Sequence, residues 1–298
     1  MSRLARGLAI VAAAAALVST TSGCDYVTRK QEAKLLVDAA NRAETSRTAL
    51  GVIQVSMRAE KLTPQYAAFL TSKRVAYVPV YALFAFDKRE ARSNEVHGAN
   101  GLAFPEAVFS GPVVYLKRPV AAGATDSQFG FRAWSRLDFS KVGKKDSNKL
   151  TQPNAVNPIN PTYLVRMLAG TLSGSVKQLG TTTIDGVATK HFRMNVDRSK
   201  AFRGLSDKDH QAVDKAFASD NISGGVYKKA ETWIDADGLP RRLVLRVKQK
   251  LDQDNVFAIT YQIDLTKFGT RLAILKPKAS NTATVPSLNA LLNSAVNL

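Results

Sequence analysis

The chain has 298 residues, 45% of them hydrophobic and 22% charged. These are the proportions of a folded domain, and they exclude collagen-like, disordered and multi-span membrane classes. Its 42 Lys and Arg against 24 Asp and Glu give a net charge of +18, so anionic partners must be considered. The single cysteine, Cys24, excludes an intramolecular disulfide and any cysteine-rich zinc or iron-sulfur site.

Arg3 and Arg6 precede an uncharged run from Leu8 to Val18, 11 residues long. That length suits a signal-peptide core and falls well short of the roughly 20 residues that a membrane-spanning helix needs. Thr21-Ser22-Gly23-Cys24 follows and resembles the bacterial lipobox, in which the cysteine is acylated and becomes the mature N-terminus. Thr21 stands where that motif usually carries Leu. The resemblance implies a lipoprotein bearing palmitate-type chains, anchored to the cell membrane on its extracytoplasmic face. The other reading is an ordinary secretory signal followed by a free thiol. Losing residues 1–23 removes Arg3 and Arg6 and no acid, leaving 40 basic residues against 24 acidic ones in the mature part. Asp25 to Gln31 then allows the domain to stand at most about 25 Å from the lipid, and two or more acyl chains would hold it firmly.

From Glu32 to Ser46, residues Ala33, Leu36, Val37, Ala40 and Ala43 recur at helical spacing, which predicts an amphipathic helix. Thr48 to Arg58 alternates, with Ile53, Val55 and Met57 opposite Gln54, Ser56 and Arg58, the period of a half-buried strand. Thr63 to Ser72 predicts a short helix with Pro64 in its first turn. Further strands are predicted from Val75 to Asp87, Arg89 to Val96, Val113 to Leu116, Gln128 to Asp138, Val187 to Asp197, Val226 to Ile234, Leu243 to Lys250 and Val256 to Leu265. Most of the chain therefore reads as antiparallel sheet. Helices are predicted from Tyr163 to Ala169, after Pro158 and Pro161, and from Asp207 to Ser219, capped by Ser206. Asp237-Gly238 marks a hairpin, and Lys141 to Asn160, with Pro153 and Pro158, marks a loop. Ala279 to Leu298 reads as a short linker and a weakly amphipathic helix.

The common enzyme motifs are missing: no G-x-S-x-G elbow, no phosphate-binding glycine loop, no G-x-G-x-x-G fingerprint and no H-E-x-x-H helix. His97, His191 and His210 lie far apart, so the chain reads as a non-enzyme. A hydrolase whose triad has no local motif is the weakest alternative. Asp235-Ala236-Asp237-Gly238 begins like a calcium loop, but Arg246 stands at the twelfth position, where such a site needs Glu, so neither metal nor cofactor is expected. Arg241, Arg242, Arg246, Lys248 and Lys250 cluster on one hairpin, and Lys144, Lys145 and Lys149 lie in the long loop. They suit anionic headgroups or simply a solvated face. Export, and the lack of a motif with interleaved aromatic residues, disfavour nucleic acid. Alternation puts Phe257, Ile259, Tyr261, Ile263 and Leu265 on one face of their strand, and does the same for Leu243, Leu245 and Val247 and for Phe192, Met194 and Val196. Helices either close on that face as a packed core or leave an apolar cavity, and periodicity does not separate the two.

Four segments in order carry a resemblance. They are Val113-Val114-Tyr115-Leu116-Lys117, then Trp134-Ser135-Arg136-Leu137-Asp138, then the stretch from Leu179-Gly180 through Ile184-Asp185-Gly186-Val187 to His191-Phe192, then Trp233-Ile234-Asp235-Ala236-Asp237-Gly238-Leu239-Pro240-Arg241-Arg242. Together with the lipobox they are similar to the LolA-like lipoproteins of actinobacteria, the LppX and LprG type, over roughly residues 30–276. The resemblance implies an α+β fold, a curved antiparallel half-barrel with helices packed on the concave face. It also implies an apolar cavity for the acyl chains of a lipid or glycolipid, carried or presented in the cell envelope without catalysis. The implied divisions are a signal peptide (1–23), a lipidated tether (24–31), a lipid-binding domain (32–276) and a C-terminal extension (277–298) that departs from the pattern. On this reading Cys24 carries the lipid anchor. Leu164, Met167, Leu168, Val213 and Phe217 from the helices line the cavity, together with Phe192, Met194, Val196, Leu243, Leu245, Val247, Phe257, Ile259, Tyr261 and Ile263 from the strands. Arg241 and Arg242 would hold a headgroup, and the plasma membrane and an envelope transporter would be partners. The alternative is a ligand-free anchored interaction or signalling module with a solid core.

Overall fold

Antiparallel ladders gather the alternating segments into one large sheet. The computed structural model describes residues 27–61, 63–64, 74–97, 103–118, 132–143, 160–217, 225–250 and 256–295. Residues 27–45 form helix α1. The strands are β1 (Thr48–Lys61), β2 (Arg74–Ala85), β3 (Glu90–Ser93), β4 (Val96–His97), β5 (Ala103–Phe104), β6 (Ala107–Ser110), β7 (Val113–Lys117), β8 (Trp134–Asp138), β9 (Lys177–Ile184), β10 (Val187–Asp197), β11 (Val226–Asp235), β12 (Pro240–Lys250), β13 (Val256–Thr266) and β14 (Thr282–Thr284). Twelve of them form one sheet in the order β14-β8-β7-β6-β3-β2-β1-β13-β12-β11-β10-β9, and β4 and β5 pair separately. The β14–β8 pair is parallel and the other neighbours are antiparallel. With β14 and β9 as its two edges, the sheet is open and does not close into a barrel.

Register decides which residues share the core face. Ile53, Ile263 and Leu243 stand side by side, then Val55, Tyr261 and Leu245, then Ile259 and Val247. On the other half, Ala49, Phe84, Ala91, Phe109, Val114 and Leu137 form a single row across six strands. Gly51 lies between these halves. A Cβ there would stand 2.5 Å from the Asp264 carbonyl oxygen and 2.8 Å from the Phe84 ring, so only glycine lets that ring lie over the strand. The β9–β10 turn, Asp185-Gly186, takes φ of 48° and 80°, the left-handed pair of a two-residue hairpin.

Among the described residues, α1 is followed by the helices α2 (Pro161–Arg166), α3 (Arg198–Ala201), α4 (Asp207–Ala216) and α5 (Leu288–Ala295). Asn160 caps α2 by accepting from the Thr162 amide, and Pro161 opens its first turn, where no amide donor is needed. Ser206 caps α4. Leu36, Ala39 and Ala43 of α1 join the α2 and α4 side chains and the strand rows in one apolar cluster. No helix among the described residues is long and apolar enough to cross a membrane.

After β13 the chain passes to the far edge of the sheet, where β14 pairs with β8. Helix α5 then buries Leu288, Leu291 and Leu292, and the Ser294 hydroxyl donates to the Ser135 hydroxyl oxygen of β8 (2.7 Å). Residues 279–295 thus hold an edge strand and a packed helix, more than the linker and weak helix read from sequence. Strands β6, β9 and β14 were not anticipated. In β9, Lys177-Gln178-Leu179-Gly180-Thr181-Thr182-Thr183-Ile184 is polar on both faces because it is a solvated edge, so it shows no alternation. Thr63 to Ser72 falls outside the described residues beyond position 64, as does the loop reading over 144–159.

Candidate ligand-binding face

The turns 46–47, 86–89, 111–112, 185–186 and 236–239 all lie at one end of the sheet, because β1, β3, β7, β10 and β12 start there and their neighbours finish there. At this end the helices are fastened by polar groups. Asp209, buried on α4, accepts from the Tyr163 hydroxyl of α2 (2.9 Å) and from Ser206 Oγ (2.7 Å), and it pairs with the Arg89 guanidinium in the β2–β3 turn. Asn160 Nδ2 donates to the carbonyls of Arg89 (3.0 Å) and Gly111 (3.2 Å). Lys215 Nζ donates to the Ser140 carbonyl (2.8 Å), Arg42 Nη1 donates to the Asp237 carbonyl (2.6 Å), and Arg166 pairs with Glu44. Burial, and then the Asp209 charge, push the Tyr163 phenol well above its ordinary value, so it stays a donor.

The helices lie over the apolar face. Leu164, Met167, Leu168, Val213 and Phe217 from the helical side, and Phe192, Met194, Val196, Leu243, Leu245, Val247, Ile259, Tyr261 and Ile263 from the strands, are all buried and belong to one cluster. Phe257 is placed on β13 opposite Ala59 and Gln249, while its side chain lies outside the described residues, as does Cys24. The aromatic members touch: Phe202 stands 6.1 Å edge-on to Tyr163, and Phe217 lies 6.0 Å from Phe202 and 6.2 Å from Tyr227. Two recesses bordered by described residues flank this layer at the turn end. One holds about 240 Å³ of space, open solvent included, lined by Phe109, Val114, Phe139 and Tyr163 among others. The second, about 270 Å³ counted the same way, lies between Ala40, Phe86, Thr162 and Val165.

Arg241 and Arg242 sit at the same end on a bulged stretch of β12. Arg241 Nε donates to Asp235 (2.6 Å) and its guanidinium lies 5.3 Å from the Phe268 ring centre. Arg242 makes a two-pronged pair with Asp264 (2.5 and 2.8 Å) over the Trp233 ring. Both guanidinium groups are therefore already engaged by carboxylates, and an incoming anionic headgroup has to compete with them. His191 stacks on Trp233 at 4.0 Å and contacts Glu231 (3.1 Å), so this histidine is held between partners on the outer face. Sequence reasoning missed the fastening group of Arg89, Asp209, Tyr163 and Asn160. Its one legible trace is the pattern Ser206-x-x-Asp209, a reciprocal helix cap in which the Asp209 amide also meets Ser206 Oγ (3.2 Å).

No family model and no curated protein matches the sequence. Among solved structures, the chain is similar to LprF from Mycobacterium bovis, at 14% identity over 83% of this chain and 97% of that one, with a TM-score of 0.40. It is also similar to the Mycobacterium tuberculosis lipoprotein LppX, at 15% identity over 80% and 97% of the two chains, TM-score 0.35. An outer membrane lipoprotein-sorting protein domain from Vibrio parahaemolyticus matches at 7% identity over 78% and 90%, TM-score 0.24. At these TM-scores the likeness carries no residue role and no activity to this chain.

Proposed function

We propose that this chain is an exported, non-enzymatic lipoprotein, anchored through Cys24 to the outer face of the plasma membrane, that binds the acyl chains of a lipid or glycolipid and carries or presents them in the envelope. Its divisions on this reading are a signal peptide (1–23), a tether (24–31), the binding domain (32–276) and an extension (277–298). An envelope transporter is the class of partner that would load or unload it. The observation supporting the reading is the broad apolar face of β1 and β10 to β13, with a helical layer over it that side-chain polar groups hold to the sheet turns at one end and that the Leu172 amide, donating to the Asn195 carbonyl (2.9 Å), and the Asn195 amide, donating to Ser175 Oγ (2.8 Å), hold to the far end of β10. A chain would then enter from the end opposite those turns, where β1 and β12 finish and β2 and β13 begin. Burying a 16-carbon chain contributes on the order of 10 kcal/mol at about 0.8 kcal/mol per methylene, enough to offset extraction from a bilayer.

One observation favours the other reading, an anchored interaction module with a solid core. The candidate lining side chains with described positions are nearly all withdrawn from solvent, and each recess encloses only about 10 Å³, room for about one water and far below the several hundred Å³ common for ligand pockets. Native mass spectrometry with solvent extraction, on the chain from Asp25 produced in an actinobacterial and an unrelated host, decides between them. Stoichiometric acyl lipid supports the carrier. A clean apo mass from both hosts, with no uptake of added phospholipid, refutes it.

A further inference from the structure

The outer face of the sheet is electrically lopsided. Across β3 and β6 to β8, charges are matched: Arg92 and Lys117 meet Glu106, Arg136 meets Asp138, and Lys276 reaches Glu90 (2.8 Å). Across β10 to β13 and β1, register gathers Arg193, Lys228, Lys229, Arg246, Lys248 and Arg58. Among the described residues, the carboxylates facing these six cations are Glu231 and Glu60. Glu231 is buried beneath Arg246 and Arg193. Burial alone would raise its carboxyl, but Arg246, His191 and Arg193 outweigh burial and hold it below the usual range, so it stays charged and is already saturated with donors. The cations themselves remain reachable: the side chains of Arg58, Lys248, Arg246 and Arg193 are 67%, 60%, 49% and 46% exposed. Five strands at about 4.8 Å spacing make this patch roughly 20 Å wide.

We propose that this basic outer face, from β10 to β1, is a docking surface for an anionic lipid bilayer, which turns the opposite, apolar face and its helices away from the headgroups. The proposal rests on the reading of Cys24 as an anchor, because a chain tethered three residues before Val27 keeps the domain beside a membrane. Charge complementarity selects the occupant: each Lys or Arg near an anionic surface improves association about 5-fold. Tyr81, exposed on β2 beside β1, is of the residue type that settles at headgroup level. A single-stranded nucleic acid is a poorer fit, because both faces of the Trp233 ring are taken, one by His191 and one by Arg242, leaving no stacking platform there.

The test uses the chain from Asp25, which holds every described residue, so that no acyl anchor contributes. Sedimentation is measured with vesicles of phosphatidylcholine alone and with equal parts of phosphatidylcholine and phosphatidylglycerol, in about 0.1 M and about 1 M salt. Preferential, salt-sensitive binding to the anionic vesicles is expected. Arg246→Gln with Lys248→Gln should weaken it by about 5- to 30-fold, while Lys208→Gln with Lys267→Gln, which removes the same net charge elsewhere, should change it less than about 2-fold. Equal losses in both variants, no preference for phosphatidylglycerol, or tighter binding to duplex DNA at matched charge concentration would each overturn the proposal. Intact-mass analysis of the membrane-extracted chain reads acylation of Cys24 separately, so failure of the anchor and failure of the face are told apart.

Discussion

Asp209 is the group on which the helical cover turns, and replacing it tests the whole arrangement. In Asp209→Ala, the Tyr163 hydroxyl loses its 2.9 Å acceptor inside a buried side chain, and Ser206 loses a 2.7 Å acceptor. A stranded buried donor costs about 1–3 kcal/mol, and the bond from the exposed Ser206 hydroxyl to the carboxylate, weakened by solvent, about 1 kcal/mol. The Arg89 pair adds little, because that guanidinium is 39% exposed and solvent screens it, worth about 0.5 kcal/mol. The expected cost is about 3 kcal/mol, or roughly 6–12 °C in melting temperature for a domain of this size. Asp209→Asn keeps an oxygen for Tyr163 and most of the shape, so it should lose about 1 kcal/mol. Differential scanning calorimetry supplies the numbers, and hydrogen exchange locates the effect. Amides of α2 and α4 should gain exchange while those of β10 to β13 stay protected. A melting temperature for Asp209→Ala within 2 °C of the parent, or uniform exchange throughout, would refute the idea that this group fastens a separate layer.

Leu168→Ala should cost about 2–5 kcal/mol by leaving a cavity under the helical turn that follows α2, read by urea denaturation; a loss below about 1 kcal/mol would mean the layer is loosely packed. Glu231 and Glu106 are both held below the usual carboxylate range: burial opposes ionisation in each, and Arg246, His191 and Arg193 in one case, Arg92 and Lys117 in the other, overcome it. Their stabilisation is complete above the unfolded value near 4.3 and is lost as pH falls through the lower folded values, so the melting temperature should drop below about pH 4.5. Glu231→Gln should flatten that acid slope, and an unchanged slope would exclude Glu231 as a source. Arg242→Ala, which strips the buried Asp264 carboxylate of its two-pronged partner and uncovers Trp233, should raise indole fluorescence sensitivity to iodide and cost about 3 kcal/mol; unaltered quenching would contradict the stacked geometry. Ending the chain at Lys276 removes β14 and α5 and uncovers the apolar side of β7 and β8. Binding of a hydrophobic dye should rise, and a truncated chain that melts with the parent would show that α5 is dispensable.

The parts of the fold that sequence made legible are those in which one face of an element is apolar and the other polar. Val187–Asp197 is an example: Phe192, Met194 and Val196 alternate with Arg193 and Asn195, and both ends of the strand were placed correctly from that alternation. The same logic put Leu243, Leu245 and Val247 beside Ile263, Tyr261 and Ile259, as register requires. Where alternation fails, prediction fails. Polar edge β9, the four-residue β6 and the three-residue β14 are each held by a neighbour's ladder, and nothing in their own composition marks them. The fastening group was illegible for a related reason. Arg89, Asn160, Tyr163 and Asp209 are spread over 120 residues, and they meet only because one turn of the sheet and two helix starts come to the same end. The pairing of Arg241 with Asp235 and of Arg242 with Asp264 was equally hidden, since a run of positive charge in sequence says nothing about which carboxylates face it across a ladder.

The two functional readings come down to whether the helical layer lifts. The recesses bordered by described residues are too small for a long acyl chain, so on the carrier reading the room comes from exchange: apolar contacts between helix and sheet give way to contacts between each of them and the ligand. That exchange is nearly neutral in buried area, because the ligand covers the surface that the helices uncover. What must not be lost is the polar fastening, whose groups would be left buried and unpaired. Those groups lie in two places, the turn end and the far end of β10, where Leu172 and Ser175 bond to Asn195 and Thr171 bridges Val196. On the carrier reading the layer parts from the sheet beside β1, β12 and β13, while Asp209, Tyr163, Asn160 and Asn195 keep their partners and the β ladders, including the parallel β14–β8 edge, stay intact.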